Sequence, residues 1–123
     1  EISAFHDRRL MRSWSMPLGS LRVSDAFRAT DPPDEHEMRA LRRSVKASMA
    51  EAGITELAKG EQLVGIGGTV RNLAKVDLRR TDYPLPLLHG YRLTDKRLGA
   101  VIDELAGRTM KRRAMYARTP SPA

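Results

Sequence analysis

The spacing of the apolar residues changes along this chain of 123 residues, and that change limits the fold more than any other feature. Apolar residues alternate with polar or small ones over residues 2–5 and 10–23, on both sides of the polar stretch 6–9. Alternation at period two predicts a β-hairpin. Because proline has no N–H to donate, Pro17 and nearby Gly19 predict an edge position, a bulge or an interruption in the second strand. Further along, the spacing becomes helical, so we expect an α/β chain with at most three strands.

Two helices are well marked by residues suited to their ends. Asp34 and Glu37, three residues apart, match a capping box, and Gly53 suits the end of the helix that they begin. Thr94 suits the N-cap of a later helix, which Gly107 ends. Their apolar stripes consist of Met38, Leu41, Val45, Met49 and Ala52 in the first helix, and Leu98, Val101, Ile102 and Leu105 in the second. Each stripe predicts an amphipathic helix that packs on a neighbour.

Between these helices, a Gly-Gly-Thr turn joins two periodic segments. Residues 62–66 form a short apolar run, which predicts a buried strand, and helical spacing resumes at Val70. The first N–H groups of a helix have no intrahelical partner, so Gly67, Gly68 and Thr69 could hold an anion, with Thr69 adding a hydroxyl or serving as the N-cap. Such turns are more often packing corners, and this one is neither a P-loop nor G-x-G-x-x-G.

The composition of the chain limits its possible binding partners and its possible cellular locations. The chain has no cysteine, which excludes disulfides and thiolate metal sites, and no apolar run long enough to span a membrane. We therefore expect a cytoplasmic protein without a membrane partner. A net charge of +7 favours polyanions, whereas an aromatic content of only 5% makes nucleic acid an unlikely ligand.

Other polar groups are interpreted first as structural. His6 and His36 have no second ligand at metal-binding spacing, so no metal site is identified. His89 could contact phosphate, but a lone histidine before a helix is more often a structural hydrogen-bonding group. No Ser-His-Asp arrangement can be argued. Residues 110–116 fit a short basic helix. Its cations, and those between residues 39 and 46, are typical of solvated helix faces.

Several segments, taken in order, resemble one family. The stretch WSMPLGSLRVSDAF at residues 14–27, GIGGT at 65–69, and His89-Gly-Tyr91 before the Leu93-Thr-Asp helix start are similar to motifs of the exopolyphosphatase and guanosine pentaphosphate phosphatase (Ppx/GppA) family. The resemblance covers residues 1–118 and leaves 119–123 as a disordered tail. It implies part of the second of two ribonuclease-H-like domains, as in the actin and Hsp70 ATPase superfamily, with a small mixed sheet and three to four helices.

The resemblance also implies roles for individual residues. The parent protein would hydrolyse the terminal phosphoanhydride of inorganic polyphosphate or guanosine pentaphosphate, with Mg²⁺ and a carboxylate base. Gly67, Gly68 and Thr69 match a phosphate-binding loop, and Glu1 falls where a catalytic glycine motif ends. Three basic residues could guide a polyanion, namely Lys111, Arg112 and Arg113. The main base has no counterpart here, so we expect this chain alone to be inactive and, with a strand lacking, to form homo-oligomers.

Two alternatives from other classes remain at this point. The first is a non-catalytic basic module that binds nucleotide or RNA, which the charge of +7 supports. The second is a kinase of the same actin-like superfamily, for example a sugar or acetate kinase, because the Gly-Gly-Thr turn recurs in that fold. The Leu-Gly-Ser-Leu-Arg and His-Gly-Tyr segments favour the phosphatase branch over the kinase.

Overall fold

A computed structural model describes residues 1–27, 30–82, 84–85 and 87–117 of the chain. Contacts divide it into two compact units, Glu1–Glu61 (unit 1) and Gln62–Ala123 (unit 2). The elements, in chain order, are β1 (Ile2–His6), β2 (Arg9–Trp14), α1 (Ser20–Ala26), α2 (Glu35–Glu51), α3 (Gly68–Arg80), α4 (Asp95–Ala106) and α5 (Met110–Ala117). The α/β class is confirmed. The described residues contain a two-stranded antiparallel sheet in place of the small mixed sheet, and five helices in place of three to four.

The predicted hairpin forms, but its second strand is shorter than predicted. β1 pairs antiparallel with β2 from Ile2 opposite Trp14 to His6 opposite Arg9, with an irregularity between Ala4 and Phe5. The chain leaves the ladder after Trp14, and the segment that we expected to continue the strand to residue 23 contains α1 instead. The reason is local, because Pro17 cannot donate to a ladder.

α2 confirms the predicted capping box in full. The carboxylate of Asp34 accepts from the Glu37 N–H at 2.8 Å, and the Glu37 carboxylate accepts from the Asp34 N–H at 2.8 Å. Glu37 also accepts from the Thr30 hydroxyl at 2.7 Å and from the Thr30 N–H. These bonds, the Thr30 hydroxyl first, lower the pKa of Glu37 because they stabilise its charged form. At the other end, Gly53 has φ +71°, the left-handed conformation that ends helices.

The strand predicted at residues 62–66 is wrong. These residues are exposed and belong to no helix or strand, and no backbone–backbone hydrogen bond between described residues involves them. Leu63 is 74% exposed, Val64 77% and Ile66 86%. An apolar run becomes a strand only beside another strand, and the described part of unit 2 contains none. Self-association, which we expected from unpaired strands, stays a prediction.

The buried residues in the described part of unit 2 are two valines and one aspartate. Val76 and Val101 are 3% and 0% exposed, and Asp77 is 0% exposed. The Tyr91 hydroxyl, from the connector before α4, donates to Asp77 Oδ2 at 2.7 Å. Arg97, in the first turns of α4, forms an ion pair with the same oxygen and donates to the Tyr91 hydroxyl. This Asp77–Tyr91–Arg97 cluster therefore joins α3, the connector and α4.

A second cluster joins α3 and α4 to α5. Glu104 on α4 accepts from Arg80 at 2.7 Å and from Arg108 at 2.7 Å, and it also accepts from the Tyr116 hydroxyl. Arg79 on α3 donates to the Tyr116 carbonyl at 2.7 Å. The three helices of unit 2 and the connector before α4 are thus tied by charged groups with hydrogen-bond partners, the condition under which partly buried charges are tolerated.

The first prediction concerns Asp77. Replacing Asp77 with Asn removes the charge that balances Arg97, and we expect unit 2 to lose about 2–3 kcal/mol of unfolding free energy. That figure lies below the cost for a fully buried pair because Arg97 is 35% exposed and regains water. Urea unfolding followed by far-UV circular dichroism measures the loss. Asp82→Asn, an exposed change in the same unit, is the control and should shift the midpoint little; equal losses in both variants would contradict the prediction.

The second prediction concerns pH. The pKa of Glu37 is lower in the folded state, so its stabilisation is complete above the unfolded pKa and is lost as the pH falls through the folded value. We expect the urea midpoint of unit 1 to fall with acidification below about pH 4.5, and Glu37→Gln to flatten this dependence. Fluorescence of Trp14, the single tryptophan, follows unit 1.

Glu35→Gln is the matched control for Glu37→Gln. Glu35 also lies in the first turn of α2, but its carboxylate pairs only with exposed Arg39, at 3.3 Å, among the described contacts. Its replacement should leave the acid dependence of the midpoint nearly unchanged. If both variants flatten it equally, general charge at the helix start explains the effect and the Glu37 hydrogen bonds do not.

Candidate functional site

The Gly-Gly-Thr turn lies at the start of α3 and leaves three N–H groups unpaired. The first helical bond runs from the Arg71 N–H to the Gly67 carbonyl at 3.2 Å. Gly67 is the N-cap, with φ 98° and ψ 177°, and no side chain caps the helix. Thr69 is therefore not the N-cap; it lies inside the first turn. The N–H groups of Gly68, Thr69 and Val70 have no acceptor among the described residues, which is the arrangement that anions occupy at helix starts.

The three glycines around the turn serve different purposes. A Cβ on Gly65 would lie 2.4 Å from a Val70 methyl carbon, so a side chain there would require Val70 or the backbone to shift. Gly67 needs its positive φ, which other residues adopt only with strain. A Cβ on Gly68 would meet nothing within 4 Å. The backbone at Gly68 is thus open to a ligand, and no packing contact requires glycine there.

Glu1, the weaker catalytic candidate, lies at the start of unit 1 and is exposed. Its Oε1 accepts from the Ser13 hydroxyl at 3.3 Å, across the β1–β2 ladder. The glycine turn belongs to the other unit, unit 2. The catalytic role of Glu1 stays a prediction.

The three basic residues at the start of α5 have different surroundings. Lys111 and Arg112 are exposed. Arg113 is half-buried, and its Nε donates to the Arg108 carbonyl at 2.8 Å. Two of the three residues predicted to guide a polyanion therefore present their charge to solvent, whereas Arg113 helps to hold the turn before α5.

Titration is perturbed at the far end of α5. The hydrogen bond from the Tyr116 hydroxyl to Glu104 is the main cause that lowers the pKa of Glu104, and the charges of Arg108 and Arg80 add to it. The same hydrogen bond raises the pKa of Tyr116. In the other cluster, burial raises the pKa of Tyr91, and Asp77 adds to the shift. Both tyrosines are therefore held protonated as donors, which is a structural role.

The described residues contain no group of three or more His, Cys, Asp or Glu side chains that could hold a metal ion. His6 is exposed and lies 3.5 Å from the exposed Asp7. His36 and His89 are exposed as well. Within the described ranges, no helix is both long and apolar enough to cross a membrane.

The charge of the chain is distributed unevenly between the two units. Unit 1 contains ten Lys and Arg against ten Asp and Glu, so its formal charge is zero. Unit 2 contains twelve against five, which gives the whole +7 of the chain. The glycine turn thus lies in the unit whose field attracts anions.

The Asp77–Tyr91–Arg97 cluster was not predicted from the sequence, although one signal was present. Asp77 follows Leu73 and Ala74 at four and three residues, so a carboxylate occupies a position of the apolar stripe of α3. A charge at such a position requires a partner in the core. The partners Tyr91 and Arg97 lie 14 and 20 residues further along, and no local pattern identifies them.

Comparison with known proteins agrees with the resemblance. The model of the Ppx/GppA phosphatase family matches residues 1–118. Two curated relatives, both named Exopolyphosphatase 2 and from two strains of Mycobacterium tuberculosis, are 30% identical over 114 residues, which is 90% of this chain. The chain spans 35% of the length of each relative. No solved structure matches significantly. The chain therefore belongs to the Ppx/GppA phosphatase family.

Proposed function

We propose that this chain is part of an exopolyphosphatase-type phosphatase and that its glycine turn binds a phosphate group of the substrate. The parent protein would hydrolyse the terminal phosphoanhydride of inorganic polyphosphate or guanosine pentaphosphate. One observation carries the proposal, namely the three unpaired N–H groups of Gly68, Thr69 and Val70 at the start of α3 in a member of a phosphatase family.

The N–H donors of the turn are suited to stabilising negative charge on a reacting phosphate group. In the transition state of phosphoryl transfer, negative charge is spread over the three equatorial oxygens of the transferred group, and fixed N–H donors stabilise that charge without having to reorient. The Thr69 hydroxyl could donate to the same oxygens. The turn offers no base, so in this proposal it binds and orients the phosphate but does not activate the attacking water.

Magnesium and the catalytic base belong to other parts of the parent protein in this proposal. Among the described residues, no group of three or more His, Cys, Asp or Glu side chains lies together. The family and the names of the relatives favour a phosphatase over the kinase and over the basic RNA-binding module.

Gly68 provides the sharpest test of phosphate binding. Gly68→Ala adds a Cβ where the structure has open space, so the fold should tolerate it while the methyl group hinders the approach of a phosphate. We expect tripolyphosphate to bind at least about tenfold more weakly, since oxyanion-type donors contribute on the order of 2–4 kcal/mol. Isothermal titration calorimetry of the 123-residue chain measures the change.

Gly99→Ala is the matched control for Gly68→Ala. Gly99 lies within α4, and a Cβ there also meets nothing within 4 Å. Alanine stabilises a helix interior by about 1 kcal/mol relative to glycine, so this variant should fold well and bind tripolyphosphate as the wild type does. Unchanged affinity in Gly68→Ala would overturn the assignment of the turn.

Activity provides the next prediction. We expect the 123-residue chain to release no phosphate from polyphosphate with or without Mg²⁺, because no base for the attacking water has been identified in it. The natural protein in which this segment occurs should release phosphate in the same assay. A malachite-green measurement of both, at equal molar concentration, checks the prediction, and hydrolysis by the chain alone would contradict it.

A further inference from the structure

Among the described residues, α5 buries no apolar side chain against the rest of unit 2. Met110 and Met115 are 70% and 68% exposed, and Ala114 is exposed as well. Tyr116 is half-buried, and the Arg108 guanidinium lies over its ring, 5.3 Å from the ring centre. Burial of apolar surface, which holds most helices in place, therefore contributes little to the position of α5.

Hydrogen bonds to charged side chains of the neighbouring helices hold α5 instead. Arg79 on α3 donates to the carbonyls of Met115 and Tyr116 at 3.2 and 2.7 Å, at the end of α5, where carbonyls have no intrahelical partner. The Tyr116 hydroxyl donates to the Glu104 carboxylate on α4. The bonds of Arg79 and Glu104 to α5 are called the α5 latch below.

The α5 latch lies close to solvent. The bonds of Arg79 are exposed, and the Glu104 side chain is partly exposed. Polar contacts near water stabilise a structure only weakly, and salt screens those between charges. A helix of eight residues does not form in water without tertiary contacts. Opening of the latch therefore also unfolds α5, so that docking and folding of this helix are one event.

The contacts that join α3 to α4 do not include α5. The Asp77–Tyr91–Arg97 cluster connects these two helices and the connector between them, and none of its described bonds involves α5. The buried residues Val76 and Val101 also lie on α3 and α4. Opening of the α5 latch thus leaves the centre of unit 2 in place.

We propose that α5 opens from α3 and α4 and unfolds by itself while these two helices stay together, and that the α5 latch makes this opening sensitive to salt and to acid. Unit 2 thereby has a closed form and an open form that share one core. Opening releases the Arg79 guanidinium and uncovers the Glu104 carboxylate. The switch does not depend on phosphate binding at the glycine turn.

The sensitivity to acid comes from Glu104. Its charge faces Arg80 of α3 and Arg108 of the turn before α5, and the protonated carboxyl is a poorer acceptor for the Tyr116 hydroxyl. Because the folded pKa of Glu104 is lowered, its stabilisation is complete above the unfolded pKa and is lost as the pH falls through the folded value. The closed form therefore weakens below about pH 4.5.

Hydrogen exchange of single amides, followed by NMR on the 123-residue chain, tests the proposal. Amides 114–116 report on α5, and amides 101–105 report on α4. We expect the α5 amides to be protected, but at least about tenfold less than those of α4, and to exchange at a rate that low urea does not change. Raising NaCl from about 0.05 to 0.5 M should lower the protection of α5 severalfold relative to α4, as should acidification from about pH 6 to 3.5.

Two variants separate the α5 latch from ordinary fraying of a helix. Tyr116→Phe removes only the hydroxyl, so Glu104 keeps its arginine partners, and the protection of α5 should fall about fivefold while that of α4 stays unchanged. Arg112→Gln changes an exposed residue of α5 without a described ion pair and should alter neither by more than about twofold.

Four results would overturn the proposal. The first is equal protection and equal urea dependence in α5 and α4, since α5 would then open only when unit 2 unfolds. The second is an α5 that exchanges as fast as an unfolded chain, because no closed form would exist. The third is protection of α5 that neither salt nor acid changes. The fourth is an equal loss in Tyr116→Phe and Arg112→Gln, which would assign the opening to fraying.

Discussion

The Asp77 carboxylate is the interaction on which unit 2 depends. A fully buried charge in a small core is tolerated only when its partners are held in place, and these partners come from two other segments. Tyr91 fixes the connector against α3, and Arg97 fixes the start of α4. Because a misplaced connector would leave the charge without its partners, this one residue selects the arrangement of α3 and α4.

Glu104 extends the same principle to α5. Its carboxylate accepts from Arg80, Arg108 and Tyr116, which belong to α3, to the turn before α5 and to α5 itself. The apolar core alone is small, since Val76 and Val101 are its fully buried apolar members among the described residues. Charged clusters therefore contribute an unusual share of the specificity with which the helices of unit 2 pack.

Features that depend on residues close together in the sequence were predicted correctly, whereas features that depend on distant residues were not. The starts of α2 and α4 depend on Asp34, Glu37 and Thr94, whose partners lie three residues away, and all three were predicted correctly. The strand at residues 62–66 was wrong because a strand needs a distant partner that no local pattern supplies. The position of the glycine turn at a helix start was also correct. The open space at Gly68 depends on the surrounding fold and was not predictable from sequence.

α3 differs from α2 in a way that connects stability to the proposed function. α2 begins with a capping box, which provides hydrogen-bond acceptors for N–H groups at the helix start. Its first turn also contains two acidic residues, whose negative charge interacts favourably with the helix dipole. α3 begins without a side-chain cap, without an acidic residue in its first turn and with Arg71 close by. Positive charge near a helix N-terminus opposes the dipole, so this arrangement costs stability in the absence of a ligand. A bound phosphate would reverse the sign of that effect, because the same N–H groups and the same cation would then act together on one anion.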